Sequence, residues 1–180
     1  MNLEKLYKMQ EELDNHIWEK HGTLDKMSKE ELLDNTILAL LVEVGELANA
    51  TRCFKHWSTK GTMDKEIVLD ELADVLHFYL SIGNQIGYKL DYDDMEYTNN
   101  LVTIIENFIN LYNWIIDLVN AQFLLSIGVG GRKYRSRETY KELGVWLKIL
   151  WDKLNFTDKE VEQAYLKKHE ENYRRQEEGY

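Results

Sequence analysis

The chain has 180 residues, of which 44% are hydrophobic and 12% aromatic. That composition is too apolar for a disordered protein, and the length suits one domain with its own core. Because 22 Lys and Arg face 32 Asp and Glu, the net charge is −10, which argues against a surface that coats nucleic acid. The single cysteine, Cys53, excludes an intrachain disulfide framework.

The hydrophobic residues favour helices and argue against a membrane protein. No apolar run reaches the roughly 18 residues of a spanning helix, and the first residues form an amphipathic, charged pattern unlike a secretory signal. We therefore expect a cytoplasmic protein that binds neither membrane nor nucleic acid. Proline is absent, so the chain has few obligatory breaks, and its apolar residues recur at helical spacing. Both features predict an all-α helical bundle.

Six helices are predicted within a single domain that covers residues 1–180. They span residues 3–20, 30–53, 64–86, 101–126, 137–154 and 157–176. Two of them begin with a capping box, in which Ser28 is followed by Glu31 and Thr157 by Glu160. The connectors are polar over 55–62, acidic over 90–100 and basic over 132–137.

Two pairs of carboxylates lie inside apolar helices. Glu43 and Glu46 are three residues apart in the second helix, and Glu71 and Asp74 repeat that spacing in the third. Each pair therefore shares one helix face. The pairs are also symmetric about the connector, so an antiparallel hairpin would place Glu46 level with Glu71 and Glu43 level with Asp74.

Such a cluster needs a compensating charge. Two unit charges about 5 Å apart repel by roughly 3 kcal/mol at an effective dielectric constant of 20. No Lys or Arg occurs over 30–51 or 66–88, so compensation must come from outside these helices, as protons or a metal ion. Oxygen-only ligands favour Mg²⁺, with Mn²⁺ as the alternative. The other interpretation is that the carboxylates only face solvent.

The last helix carries a stripe of polar side chains. Tyr165, Lys168, Asn172 and Arg175 share one face, and a cation, an amide and a guanidinium on one stripe can hold a phosphate chain. Spacing alone nevertheless favours a solvated charged helix. His77 follows Asp74 by one turn, and it is interpreted as a ligand, a substrate contact or a packing residue.

Taken together, these blocks resemble the dimeric, all-α dUTP diphosphatases, which are related to the MazG-like nucleotide pyrophosphatases. The family's ExxE and ExxD motifs match residues 43–46 and 71–74, and His77-Phe78 follows in the family manner. The segment 47–57 is similar to the branch found in Gram-positive bacteria and their phages. Residues 9–14 resemble the first motif of the family, and residues 165–180 resemble its last, YxxKNxxNxxRQxxGY.

The resemblance implies roles for individual residues. The two carboxylate pairs would bind Mg²⁺, and Glu46 would also orient or deprotonate the attacking water. The C-terminal helix within 157–180 would carry the phosphate-binding residues, which reverses the interpretation from spacing alone. The implied substrate-binding residues are Gln10 and Trp57 at the uracil, Lys168, Asn172 and Arg175 at the phosphates, and His77 and Tyr180 beside the nucleoside, together with Asp14.

Two positions depart from the family pattern. His169 stands where the last motif usually has Asn, so no role is transferred to it. Asp14 stands where some members have an Asn that reads the base, which leaves base recognition partly open.

The resemblance also implies a reaction and an assembly. Attack at the β-phosphate of dUTP would give dUMP and pyrophosphate, and dUDP would also be accepted. The fourth helix carries Ile104, Phe108, Leu111, Ile115 and Leu118 and is either the central core helix or a dimer seam; the family favours a homodimer. The alternatives are a pyrophosphatase for another nucleotide such as dCTP and a helical interaction module without catalysis.

Overall fold

The computed structural model describes residues 1–97, 101–126 and 132–179. Within these ranges the chain forms seven α-helices and a short 3₁₀-helix and contains no strand, so the all-α prediction is confirmed. The helices are α1 (Leu3–His21), α2 (Thr23–Lys26), α3 (Lys29–Thr51), α4 (Lys65–Ile86), α5 (Ile104–Ser126), α6 (Arg132–Lys153) and α7 (Asp158–Glu178), with the 3₁₀-helix at Tyr92–Met95.

The predicted helix boundaries rest on local side-chain chemistry. Both capping boxes are formed: the Ser28 and Thr157 hydroxyls accept from the backbone N–H of Glu31 and Glu160, whose carboxylates accept from the capping residues in return. At the end of α4, Gly87 adopts a φ of 65°, a left-handed conformation that glycine reaches without steric penalty. These helix ends are therefore set by the sequence next to them.

One local prediction was wrong. The proposed basic loop over 132–137 is helical, because α6 begins at Arg132, and this segment contains no Gly or Pro that would stop a helix. In addition to the six predicted helices, the structure contains α2, a single turn between α1 and α3. The acidic connector contains the 3₁₀-helix at its centre.

Helix α4 lies at the centre of the bundle, where it packs against α1, α3, α6 and α7. Helix α5 packs on α3 and α6 and buries one face through Phe108, Leu111, Ile115 and Leu118. The sequence offered the predicted helix 101–126, which corresponds to α5, as one option for the central core helix. In the structure that central position belongs to α4. Among the described helices, none has the combination of length and apolarity required to cross a membrane.

Three tyrosines join α1, α4 and α6 inside the bundle. The Tyr79 and Tyr140 rings are stacked with centroids 4.4 Å apart, and the Tyr140 hydroxyl donates to the Tyr79 carbonyl at 2.8 Å. The Tyr7 hydroxyl donates to that of Tyr140 at 2.8 Å. Gly83 permits this approach, since a Cβ there would lie 2.3 Å from the Tyr140 hydroxyl oxygen. This cluster fixes α1 against α4, and both helices line the candidate site.

Candidate active site

Helices α3 and α4 bring three of the four predicted carboxylates together. One oxygen each from Glu43, Glu46 and Glu71 lies within 4.8 Å of the others. The opposite faces of both helices are buried in the core, at positions such as Val44 and Leu72. Burial of those faces turns the acidic stripes toward each other, where their oxygen atoms could share a divalent cation.

The electrostatics of the cluster favour a bound positive charge. Burial first, and then the charges of Asp74, Glu46 and Glu71, together raise the pKa of Glu43 to about 7. Burial also raises the pKa of Glu71, with Glu46 as the next contributor. The strongest charged neighbours are thus Asp74 for Glu43 and Glu46 for Glu71, which agrees with the antiparallel register expected from the sequence.

The fourth carboxylate, Asp74, is engaged by a lysine from α7. Lys168 Nζ lies 2.7 Å from Asp74 Oδ2 and 2.6 Å from Asp70 Oδ2, and the lysine is only 5% exposed. Burial lowers the pKa of Lys168, but its bonds to Asp70 and Asp74 outweigh burial and raise it overall. Part of the compensating charge therefore comes from protein, in addition to the proton or metal ion expected from the sequence.

A cavity of about 480 Å³ opens beside the carboxylates. It joins the acidic cluster at one end to a polar network at the other, between α1, α4 and α7. Six of the predicted substrate-binding residues line it, namely Gln10, Asp14, His77, Lys168, Asn172 and Arg175. Leu13, Ile17 and Phe78 supply apolar wall between the polar groups.

Among the described residues, one predicted substrate-binding residue, Trp57, does not line this cavity. Trp57 lies on the connector after α3, where it is 68% exposed and contacts Phe54 and His56 edge-to-face. Tyr180 lies outside the described residues, so its predicted place beside the nucleoside stays a prediction.

At the acidic end of the cavity, two further polar residues come from α7. Asn172 and Arg175 line the cavity on the same face as Lys168. Arg175 forms an ion pair with Glu171 one turn earlier. The three side chains thus present two cations and an amide toward the acidic cluster, a set suited to a phosphate chain.

At the other end of the cavity, Gln10 is the centre of a buried network. Its Oε1 atom accepts from His77 Nδ1 at 2.6 Å and from the Tyr165 hydroxyl at 3.1 Å, while Nε2 donates to Asp14 Oδ1 at 2.7 Å. Burial lowers the pKa of His77 to about 3, so the imidazole is neutral. It stacks on Tyr165 with ring centroids 4.1 Å apart.

Sequence reasoning underestimated two residues of this site. Asp70 is not among the site residues predicted from the sequence, but it shares the Lys168 ammonium with Asp74. Tyr165 was assigned to the polar stripe, although its hydroxyl reaches Gln10 on α1. That contact depends on how α7 packs against α1, which no local pattern encodes.

A second cavity, of about 550 Å³, lies on the far side of Asp14. Its walls combine Trp18, Leu32 and Ile86 with polar side chains that include Asn84 and Gln85. Asp14 lines both cavities, whereas the carboxylates of the acidic cluster line only the smaller one. The acidic cluster therefore belongs to the smaller cavity, despite its lesser volume.

Comparison with known proteins agrees with this geometry. The model of the dUTPase family matches residues 2–180, nearly the entire chain. A search of curated proteins finds no match. The matched range includes both carboxylate pairs, the hydrogen-bond network around Gln10 and the polar face of α7. The chain therefore belongs to the dUTPase family and is a dUTP diphosphatase, an enzyme that hydrolyses dUTP to dUMP.

Proposed function

We propose that this enzyme hydrolyses dUTP in the smaller cavity with the help of Mg²⁺ held by Glu43, Glu46, Glu71 and Asp74, releasing dUMP and pyrophosphate. The convergence of three carboxylate oxygens within 4.8 Å carries this proposal. We include dUDP as a second substrate, and Mn²⁺ as a substitute metal. The family match favours this activity over a helical interaction module without catalysis.

The donor set fits a hard divalent cation. All its ligands are carboxylate oxygens, the type that Mg²⁺ prefers, and Mg²⁺ completes its shell with waters and substrate phosphates. The raised pKa of Glu43 reflects burial and three acidic neighbours. A bound cation would offset both the cost of burying the ionised carboxylate and its repulsion by those neighbours. When bound, the ion supplies neutralisation of phosphate charge and a more acidic water.

The chain's own residues would position the reaction. Glu46 is the most exposed member of the cluster of three, so it can reach a water at the cavity mouth and accept its proton. Lys168, Asn172 and Arg175 would hold the phosphate chain and offset its charge. Phosphoanhydride hydrolysis depends mainly on such positioning and charge stabilisation. These side chains would supply both.

A nucleotide panel tests this proposal. For dUTP, dCTP and dTTP, the release of pyrophosphate and of the nucleoside monophosphate is measured in MgCl₂ and in EDTA. For dUDP, the release of inorganic phosphate is measured under the same conditions. We expect fast dUTP turnover in MgCl₂ and none in EDTA. Replacement Glu46→Gln should lower kcat by about 10²–10⁴-fold, the usual range for a general base, while Glu30→Gln on the exposed start of α3 should not. Faster turnover of dCTP than dUTP would favour the alternative nucleotide specificity, and full activity in EDTA would contradict the metal site.

We also propose a homodimer built on α5. Its outer face exposes Ile105, Ile109 and Ile116 at 45%, 55% and 48%, and Leu38 and Val42 are exposed on α3 beside it. Several large apolar side chains exposed on two helices that pack together are typical of subunit interfaces. A cytoplasmic location stays a prediction.

A further inference from the structure

Two carboxylates on successive turns of α4 share one buried ammonium from α7. Lys168 Nζ lies 2.6 Å from Asp70 Oδ2 and 2.7 Å from Asp74 Oδ2, and the lysine itself is buried. An ammonium carries three N–H donors, of which two have these partners among the described residues. Because a buried charge needs a counter-charge, the loss of one carboxylate leaves Lys168 dependent on the other.

The two carboxylates differ in how closely they approach the acidic cluster. Asp74 is the strongest charged influence on the pKa of Glu43. Asp70 has the weakest effect among the charged neighbours that shift the pKa of Glu71, and its side chain is 38% exposed against 22% for Asp74. Asp70 therefore lies on the solvent side of Asp74, at the edge of the cavity that it helps to line.

A metal ion at the cluster would act on these two carboxylates unequally. An ion bound by Asp74 takes up the negative charge that now faces Lys168, and it repels the ammonium as well. Asp70 is outside the set of carboxylates proposed to bind the ion, so its charge stays with Lys168. The lysine then has one counter-charge that the metal ion does not claim.

We propose that Asp70 is a positioning residue, which keeps the Lys168 ammonium beside the substrate phosphates when a metal ion occupies the carboxylate of Asp74. The inference rests on the metal site and the dUTP hydrolysis proposed above. It gives Asp70 a part in the reaction that requires no contact with metal or substrate, since Asp70 acts only through Lys168.

Two substitutions should therefore shift metal affinity in opposite directions. In Asp70→Asn the ammonium has only Asp74 as a charged partner and competes with the metal ion for that carboxylate, so metal binding weakens. In Lys168→Met, Asp74 is released and a positive charge is removed from the site, so metal binding tightens. Once Lys168 is gone, Asp70 has no ammonium to position, and its replacement should have little further effect.

The test is a double-mutant cycle of these two substitutions in the full chain. Without nucleotide, electron paramagnetic resonance of free Mn²⁺ gives the Kd of each variant. We expect Asp70→Asn to raise Kd about tenfold, the order expected for one hydrogen bond to a charged group, and Lys168→Met to lower it. The Kd of the double variant should lie within about twofold of that of Lys168→Met.

The control for net charge is Glu66→Gln, which removes an exposed carboxylate one turn before Asp70 on α4. Since exposed charges act weakly on a distant site, it should raise the Kd for Mn²⁺ by less than about twofold. Asp70→Glu keeps a negative charge within reach of Lys168, so its Kd should lie between those of the wild type and Asp70→Asn.

Steady-state kinetics at saturating Mn²⁺ give a second measurement. Competition for Asp74 is then overcome, but Lys168 is still not held at the phosphates in Asp70→Asn, so kcat/KM for dUTP should remain about tenfold below wild type. In the Lys168→Met background the same replacement should leave kcat/KM unchanged.

An equal loss of Mn²⁺ affinity from Asp70→Asn with and without Lys168 would overturn the inference, because Asp70 would then act on the ion directly. An effect no larger than that of Glu66→Gln would also overturn it, and this comparison holds even if Lys168→Met does not fold. If wild-type protein neither binds Mn²⁺ nor hydrolyses dUTP, the proposed function fails, and the inference fails with it.

Discussion

Lys168 Nζ lies 2.7 Å from Asp74 Oδ2, and this ion pair joins the C-terminal helix to the acidic face of α4. The same ammonium lies 2.6 Å from Asp70 Oδ2. This ion pair links Lys168, which is expected to bind phosphate, to Asp74, which is expected to bind metal. Binding of a cation at the cluster would therefore weaken the hold of Asp74 on Lys168 and leave the ammonium to the substrate phosphates.

We expect Lys168→Met to lower kcat/KM for dUTP by about 10²-fold or more, since a charged group at the phosphates is worth several kcal/mol in the transition state. It should also lower the free energy of unfolding by about 1–3 kcal/mol at neutral pH, because two carboxylates lose their partner. Steady-state kinetics and urea unfolding measure these effects. Lys167→Met, at the exposed adjacent position, is the control, and equal effects of both variants would contradict the role of Lys168.

Without metal, the acidic cluster should make stability decrease as pH rises. Burial, with Asp74, Glu46 and Glu71, raises the pKa of Glu43 from 4.5 to about 7 in the folded state. The folded protein thus binds more protons than the unfolded chain between these values, so the free energy of unfolding falls as pH rises from about 4.5 through 7. In EDTA, Glu43→Gln should be inactive yet more stable than wild type at pH 8, with little difference at pH 4.

Chemical unfolding at several pH values checks that expectation. Glu30→Gln, which removes an exposed carboxylate from the same helix, controls for net charge. Should Glu43→Gln be less stable than wild type at pH 8 in EDTA, the acidic side chains would not repel each other as the geometry requires.

The tyrosine cluster should not tolerate a methyl group on α4. In Gly83→Ala the new Cβ would lie 2.3 Å from the Tyr140 hydroxyl oxygen and 2.8 Å from Tyr7 Cε1, so the helices must shift. We expect a loss of about 1–3 kcal/mol in the free energy of unfolding, as for other overpacked sites. Gly61→Ala is the control, since no atom lies within 4 Å of its Cβ position. Similar melting temperatures for the two variants would count against this packing.

The outer face of α5 should determine the oligomeric state. Ile109 is 55% exposed, so Ile109→Glu leaves the core of the subunit intact but places a charge in the proposed interface. Light scattering after size exclusion should give a dimer of about 43 kDa for wild type, twice the 21.4 kDa chain, and a monomer for the variant. Met63→Glu, at another exposed apolar residue, should remain dimeric. A monomeric wild type would refute the proposed interface.

Local signals in the sequence were sufficient for most of the fold. The capping boxes at Ser28 and Thr157 depend on residues three positions apart, and the carboxylate pairs on spacing within one helix, so both could be anticipated. The contact of Lys168 with Asp70 could not, because it depends on the packing of α7 against α4 across 98 residues. Trp57 is subject to the same limit, because the placement of a polar connector is decided by tertiary contacts; its predicted place at the base stays a prediction.

Titration with Mn²⁺, followed by electron paramagnetic resonance on the same samples that are assayed for dUTP hydrolysis, tests the shared metal site most directly. Wild-type protein should bind Mn²⁺ and gain activity in step with occupancy. A variant with Gln in place of Glu43, Glu46 and Glu71 should retain its helical circular dichroism, bind no Mn²⁺ and release no dUMP. Mn²⁺ binding by this variant as tight as that of wild type would contradict the account, as would full wild-type turnover before any metal is bound.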